Sequence, residues 1–248
     1  MKEPTSKPHE LGSGRLFALG DIHGCSTALR TLIEAIGPRP EDTIVTLGDY
    51  IDWGPDSRGV IEQLIGLSGR CHLVPVLGNH EEMLLAALES GSELRSWLKF
   101  GGEETLNSYE YQGKSDMIPM DHVRFIKGCR DYHETATHIF VHANYDHRLP
   151  MDRVGGTKLR WEFIDRAEVR PHFSGKTVVV GHTPQVSGEV LDLGFLLCID
   201  TDCSRGGWLS ALDTTTGRVI QANEGAELRR RTIIGNAGAR GEPAGQDM

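Results

Sequence analysis

The chain has 248 residues, 38% of them hydrophobic, and a formal net charge of −9 at pH 7. That is enough apolar material for a substantial core. The acidic balance, with no basic face to follow a phosphate backbone, excludes a general nucleic-acid-binding surface.

Residues 1–14 are polar and aperiodic, and read as a flexible lead without the apolar stretch of an export signal. No segment approaches the roughly 20 apolar residues of a membrane span. The five cysteines are odd in number and lack paired spacing, which suits reduced thiols. The expected location is the cytoplasm, away from membranes.

Arg15 to Leu19 is a short apolar strand that ends in Gly20-Asp21-Ile22-His23-Gly24. Thr27 to Ile36 has apolar residues at helical spacing and stops at Gly37-Pro38. Thr43 to Leu47 is a second strand, ending at Gly48-Asp49-Tyr50-Ile51-Asp52-Trp53-Gly54. A helix follows with Ser57 as its N-cap and Val60, Ile61, Leu64 and Ile65 on its buried side. Cys71 to Leu77 is the third strand, Gly78 to Glu81 its terminal loop, and Glu81 to Leu88 a further helix. The alternation predicts parallel strands in βαβ units, whose polar loops gather at the strands' carboxyl ends.

Leu94 to Gly128 is mostly helical, with a break at Gly101-Gly102. Two more strands then end in polar groups: Thr137 to Val141 before His142, and Lys176 to Val180 before Gly181-His182. Residues 146–175 between them are irregular and form a cap over the site. Short strands follow at Glu189 to Leu193, Phe195 to Ile199, Gly207 to Asp213 and Arg218 to Ala222. A single domain over residues 15–228 and a disordered tail over 229–248 are expected, the run Arg229-Arg230-Arg231 opening the tail.

Each strand-end group alone reads as a turn, a helix cap or a plain polar residue. Together, five apolar strands end in Asp–His, Asp, Asn–His, His and His, a repetition that core packing does not predict. Asn79 supplies a neutral amide oxygen that adds no charge to a metal site. The pattern reads as a two-metal hydrolytic centre, and the protein as a phosphoesterase.

These five motifs, Asp21-Ile22-His23-Gly24, Gly48-Asp49-Tyr50-Ile51-Asp52, Gly78-Asn79-His80-Glu81, Val141-His142-Ala143 and Gly181-His182-Thr183, resemble those of the calcineurin-like metallophosphoesterases. Within that family the chain resembles the phosphoprotein-phosphatase branch, which includes small bacterial and bacteriophage Ser/Thr phosphatases. The resemblance runs from about Leu16 to Asp213. It implies an α/β four-layer sandwich of two mixed β-sheets packed face to face, flanked by helices, with a dinuclear site at the strand-end loops. It also implies that Asp21, His23 and Asp49 hold the first metal, and that Asp49 bridges to a second completed by Asn79, His142 and His182. Donors without thiolate suit Mn²⁺ first, with Fe or Zn²⁺ as alternatives. The implied reaction is hydrolysis of a phosphate monoester, on a phosphoprotein or a small molecule, by in-line attack of a metal-bridging hydroxide. His80 is the general acid, and Asp52 orients and charges it. Cys25 beside Gly24 reads as a packed residue and not as a nucleophile.

The chain departs from the family where phosphate is gripped. Relatives read Gly-Asp-X-X-Asp-Arg-Gly, and here Trp53 stands at the Arg position. A second Arg of the cap, two residues after a Trp, corresponds to Phe163 if Trp161 is that Trp. A guanidinium gives phosphate bidentate hydrogen bonds and an aromatic ring gives none. Two readings follow: another arginine takes over, with Arg160, Arg58 and Arg205 the candidates in that order, or Trp53 stacks on a substrate ring. Asn79, Trp53 and Arg160 are accordingly placed on the substrate side. The competing functions are a nucleotide or diadenosine-polyphosphate hydrolase or phosphodiesterase, and a catalytically silent binding module on the same fold.

Overall fold

Period-two alternation sets the layering. In β1 (Leu16–Leu19), Phe17 and Leu19 face one core while Leu16 and Ala18 face another, because successive strand side chains point to opposite faces. The same split recurs in β2 (Thr43–Thr46), where Ile44 and Val45 turn opposite ways. The structure, a computed structural model, describes residues 14–113 and 117–233.

Among the described residues the first sheet has seven strands. Its parallel centre is β1, β2 and β3 (His72–Pro75). The second has five, beginning with β4 (Tyr132–Glu134), β5 (His138–Val141) and β6 (Thr177–Val180). It continues with β7 (Leu191–Asp192) and β8 (Leu196–Cys198), in the spatial order β4-β5-β6-β8-β7. The chain then returns to the first sheet with β9 (Asp200–Thr201), β10 (Trp208–Asp213), β11 (Arg218–Ala222) and β12 (Leu228–Thr232). β10 runs antiparallel to β1, so both sheets are mixed.

Leu16, Ala18, Val45, Val74 and Leu212 of the first sheet meet Phe140 and Val179 of the second in a core between the sheets. The first sheet's outer face carries helices α1 (Ser26–Ile36), α2 (Ser57–Leu67), α3 (Asn79–Glu89), α4 (Gly91–Trp97), α5 (Glu103–Ser108) and α6 (Met120–Lys127). The second sheet's outer face packs Ile139, Val141, Val178 and Val180 on Tyr145, on Met151 and Ile164 of the cap and on Leu159 of α7 (Gly156–Trp161). This is the expected four-layer sandwich.

Three local expectations change. α2 is capped by Asp56, whose Oδ1 accepts the Gly59 N–H at 2.8 Å, and not by Ser57. Gly101 takes φ +91 and kinks a π turn over Leu98–Gly102, which gives the expected break a specific geometry. Residues 229–232 belong to β12 and are not tail: the Arg229 guanidinium lies 4.2 Å from the Trp208 ring centroid, and its Nε donates to Gln221 at 2.7 Å. The charge run concealed a strand because its edge position leaves Arg230 and Arg231 in solvent. The remainder of the expected lead and tail, 1–13 and 234–248, lies outside the described residues.

The parallel centres of the two sheets end at one rim. Gly181 N donates to His142 O at 2.8 Å, and His142 Nδ1 donates to Leu47 O at 2.8 Å, which ties the strand-end loops of both sheets together.

Candidate metal centre

Asp49 is the hub. It follows β2 with φ +50, a left-handed conformation that glycine adopts freely and aspartate only under constraint. Glu81 supplies that constraint: its buried carboxylate accepts N–H groups from Asp49 at 2.9 Å, Tyr50 at 2.7 Å and Gly78 at 3.1 Å. One side chain of α3 thereby fixes the loop after β2 against the loop after β3. His23, Asp52, Trp53 and His182 also take positive φ, at 44°, 73°, 66° and 58°. Strained backbone clusters at this rim, as it does at functional sites generally.

Around Asp49 stand four imidazoles. His23 Nε2 and His142 Nε2 each lie 3.4 Å from an Asp49 oxygen, and His80 Nε2 lies 4.0 Å away. Potential ligand atoms of His23, Asp49 and His80, and of Asp49, His142 and His182, fall within 4.8 Å of one another. Asp49 thus belongs to both groups. Hydrogen bonds fix the tautomers. His23 Nδ1 donates to Ile51 O at 2.9 Å and His142 Nδ1 to Leu47 O, which turns both Nε2 lone pairs inward. His182 Nε2 bonds Trp161 O at 3.1 Å, which leaves Nδ1 for the cluster. Asn79 Oδ1 sits 3.0 Å from His142 Nε2.

Asp21 lies beside these groups. Its Oδ2 accepts the His182 N–H at 2.8 Å, and its buried Oδ1 has no hydrogen-bond partner. A side chain at Gly181 would collide with that oxygen, so glycine there keeps the space around it open. Burial, Asp200 and Asp49 push the Asp21 carboxyl well above its usual range. Burial and Asp49 push Glu81 up to about 8, and burial raises Asp200 to about 7. Burial would also raise Asp49, but His142, His80, His23 and His182 together hold it below the usual range. Burial lowers His23 and His182 to about 4, so both imidazoles are neutral at pH 7. A buried set of carboxylates with an orphaned oxygen, flanked by neutral imidazoles, fits divalent cations.

His80 has a different environment. Its Nδ1 donates to Asp52 Oδ2 at 2.7 Å. Burial alone would lower its pKa, but Asp49 and Asp52 raise it to about 9. Asp52 is fully buried and also accepts Trp97 Nε1 at 2.8 Å and Thr105 Oγ1 at 2.6 Å. This imidazole is held charged, unlike its neighbours.

The three candidate arginines sit in different environments. Arg160 of α7 is engaged by Glu82, at 3.0 and 2.7 Å, and by Asp131 at 3.0 Å, which fastens the cap to α3. Arg58 pairs with Glu62 on its own helix. Arg205 is exposed and acts electrostatically on both His23 and Asp200. Its 3₁₀ turn reaches the site through Cys203, which is buried in the same core cluster as Cys25, two residues past His23.

Sequence reasoning missed Trp97, Thr105, Glu81's bracing role and Asp200. Asp200 alone had a signal, because it too follows an apolar strand, β8. The others come from helix positions whose roles depend on packing.

A sequence model of the calcineurin-like phosphoesterases matches residues 14–207. Serine/threonine-protein phosphatase 1 of Salmonella typhimurium is 34% identical over 134 residues, 52% of this chain and 59% of that protein. A symmetrical bis(5'-nucleosyl)-tetraphosphatase of an Acidovorax species is 42% identical over 73 residues, 29% of this chain and 25% of that protein. The matches thus span less than two thirds of either relative. In fold the chain is similar to a cold-active protein-tyrosine phosphatase of Shewanella, with TM-score 0.63, 18% identity and coverage of 88% of this chain and 80% of that one.

Proposed function

Because this chain belongs to the calcineurin-like phosphoesterases, we propose that it is a metal-dependent phosphoester hydrolase acting on phosphate monoesters, in the manner of Ser/Thr phosphatases. The observation that carries the reading is Asp49, shared by two groups of metal-capable side chains beside the orphaned Asp21 oxygen. Asp21, His23 and Asp49 would hold one divalent ion, and Asp49, Asn79, His142 and His182 a second. Oxygen and imidazole donors without thiolate favour Mn²⁺, with Fe or Zn²⁺ as alternatives. Such ions supply Lewis acidity toward phosphoryl oxygens and activate water.

The protein's own groups do the rest. His80 presents Nε2 toward the cluster and gives its proton to the departing oxygen, while Asp52 fixes the ring through Nδ1. Trp97 and Thr105 hold Asp52 in turn, so the donor is aimed before substrate arrives. Glu81 keeps the loops after β2 and β3 in register. The free thiols favour a reducing compartment, the cytoplasm. Among the described residues no helix is long and apolar enough to cross a membrane.

A second reading, hydrolysis of nucleotides or diadenosine polyphosphates, is supported by the exposed Trp53 beside His80. The test compares p-nitrophenyl phosphate with its bis-ester, using chelated protein reloaded with Mn²⁺. Metal-requiring monoester hydrolysis is expected, and preference for the bis-ester would overturn the monoesterase assignment.

A further inference from the structure

Two exposed aromatic rings each stand against a histidine of the cluster. Trp53 meets His80 edge-on at 6.3 Å between ring centroids, and Phe163 stacks on His182 at 4.6 Å and 19°. Trp53 is the more informative. It is 39% exposed, so burial is not its main use. Its backbone is left-handed at φ +66, a conformation that a bulky side chain adopts only under constraint. The local fold nevertheless holds it firmly. A Cβ added at Gly101 would come within 2.6 Å of Trp53 N and 2.9 Å of its Cδ2, so the absence of a side chain there lets the indole rest directly on the chain. A strained, braced and half-open indole beside a proton donor has the form of a platform.

Its position assigns what it would carry. His80 protonates the departing oxygen, so the group attached to that oxygen lies alongside Trp53. The cap's Arg160 is already engaged by Glu82 and Asp131 and does not compete for that place. We infer that Trp53 is a leaving-group platform that selects phosphoesters whose departing alcohol carries an aromatic ring close to the scissile oxygen. The ring chemistry is shared by aryl-bearing peptides and by nucleosides. This inference rests on the phosphoester-hydrolase reading above.

The test uses metal-reloaded protein with benzyl phosphate and cyclohexylmethyl phosphate, esters of similar size that both release a primary alkoxide, so that the comparison isolates aromaticity. Wild type is expected to favour the benzyl ester about fivefold in kcat/KM. Trp53→Leu should bring that ratio close to one, and Trp53→Phe should keep most of it. Calorimetric binding of benzylphosphonate against cyclohexylmethylphosphonate should show the same preference and the same loss. An unchanged ratio in Trp53→Leu overturns the inference, whatever the absolute rates. If wild type hydrolyses neither ester, the hydrolase reading fails, and the phosphonate affinities still decide whether Trp53 recognises the ring. A phosphotyrosine peptide and AMP then separate the two sources: the substrate that loses most in Trp53→Leu identifies the natural ring.

Discussion

Substituting Asp52 by Asn separates the charge on His80 from its position. Asp52 Oδ2 accepts from His80 Nδ1 at 2.7 Å and from Trp97 Nε1 at 2.8 Å, while Oδ1 accepts from Thr105 Oγ1 at 2.6 Å. An asparagine fits this space with its amide oxygen toward His80 and Trp97 and its NH₂ toward Thr105. The Thr105 hydroxyl then turns to Ser57 Oγ, 2.9 Å away. The geometry survives, with a stability loss of about 1–2 kcal/mol. The carboxylate charge does not survive. Burial lowers the His80 pKa, and Asp52 is one of the two main carboxylates that raise it to about 9 against that burial. Without it the imidazole's pKa falls and its charged, donating form is depleted. General-acid catalysis contributes about 10²–10⁴-fold, so kcat on an alkyl phosphate should fall by roughly 100-fold. p-Nitrophenyl phosphate, whose leaving group departs unaided, should lose only a few-fold. The assay is kcat at saturation for both esters, wild type against variant, with thermal unfolding to confirm the fold. Equal losses on the two esters would refute the assignment of His80 as proton donor.

Three further outcomes are expected. Glu81→Gln leaves one carbonyl for N–H groups that two oxygens now receive, so urea unfolding should show a loss of about 2–4 kcal/mol; a neutral result would mean that the loops hold themselves. Arg205→Ala should raise KM for a monoester several-fold with kcat nearly unchanged, whereas Arg160→Ala should lower thermal stability; the reverse pattern would restore the original ranking of the arginines. Asp42 is buried, which raises its pKa, but hydrogen bonds from Arg15 and Arg39 lower it below the ordinary value. The folded pKa is depressed, so this stabilisation is present above the unfolded value of about 3.9 and disappears as pH falls through the folded one. Asp42→Asn should therefore be less stable than wild type at pH 7, with the gap closing below about pH 4, and a gap independent of pH would exclude the ion pair as its cause.

What the sequence made legible follows from local rules. The βαβ start was readable because Leu16 to Leu19 and Leu29, Leu32, Ile33 and Ile36 obey the strand and helix periods, and Gly37 ends α1 in a left-handed cap. The strand-end candidate ligands stood out because Asp, Asn and His are out of place after apolar strands. Trp97 was not, since its role depends on α4 bringing an indole to Asp52, 45 positions away. Nor was the engagement of Arg160, which depends on the cap docking Glu82 and Asp131 around it. β12 was hidden by composition, because an edge strand tolerates the arginines that made it look like a tail.

The most direct test titrates chelated protein with Mn²⁺ by calorimetry while monoester hydrolysis is followed in the same samples, for wild type and Asp49→Asn. Wild type should bind two ions, with hydrolysis appearing as the sites fill, and Asp49→Asn should lose both. Hydrolysis that persists in chelator, or full metal binding and activity in Asp49→Asn, would contradict a metal-dependent reaction centred on Asp49.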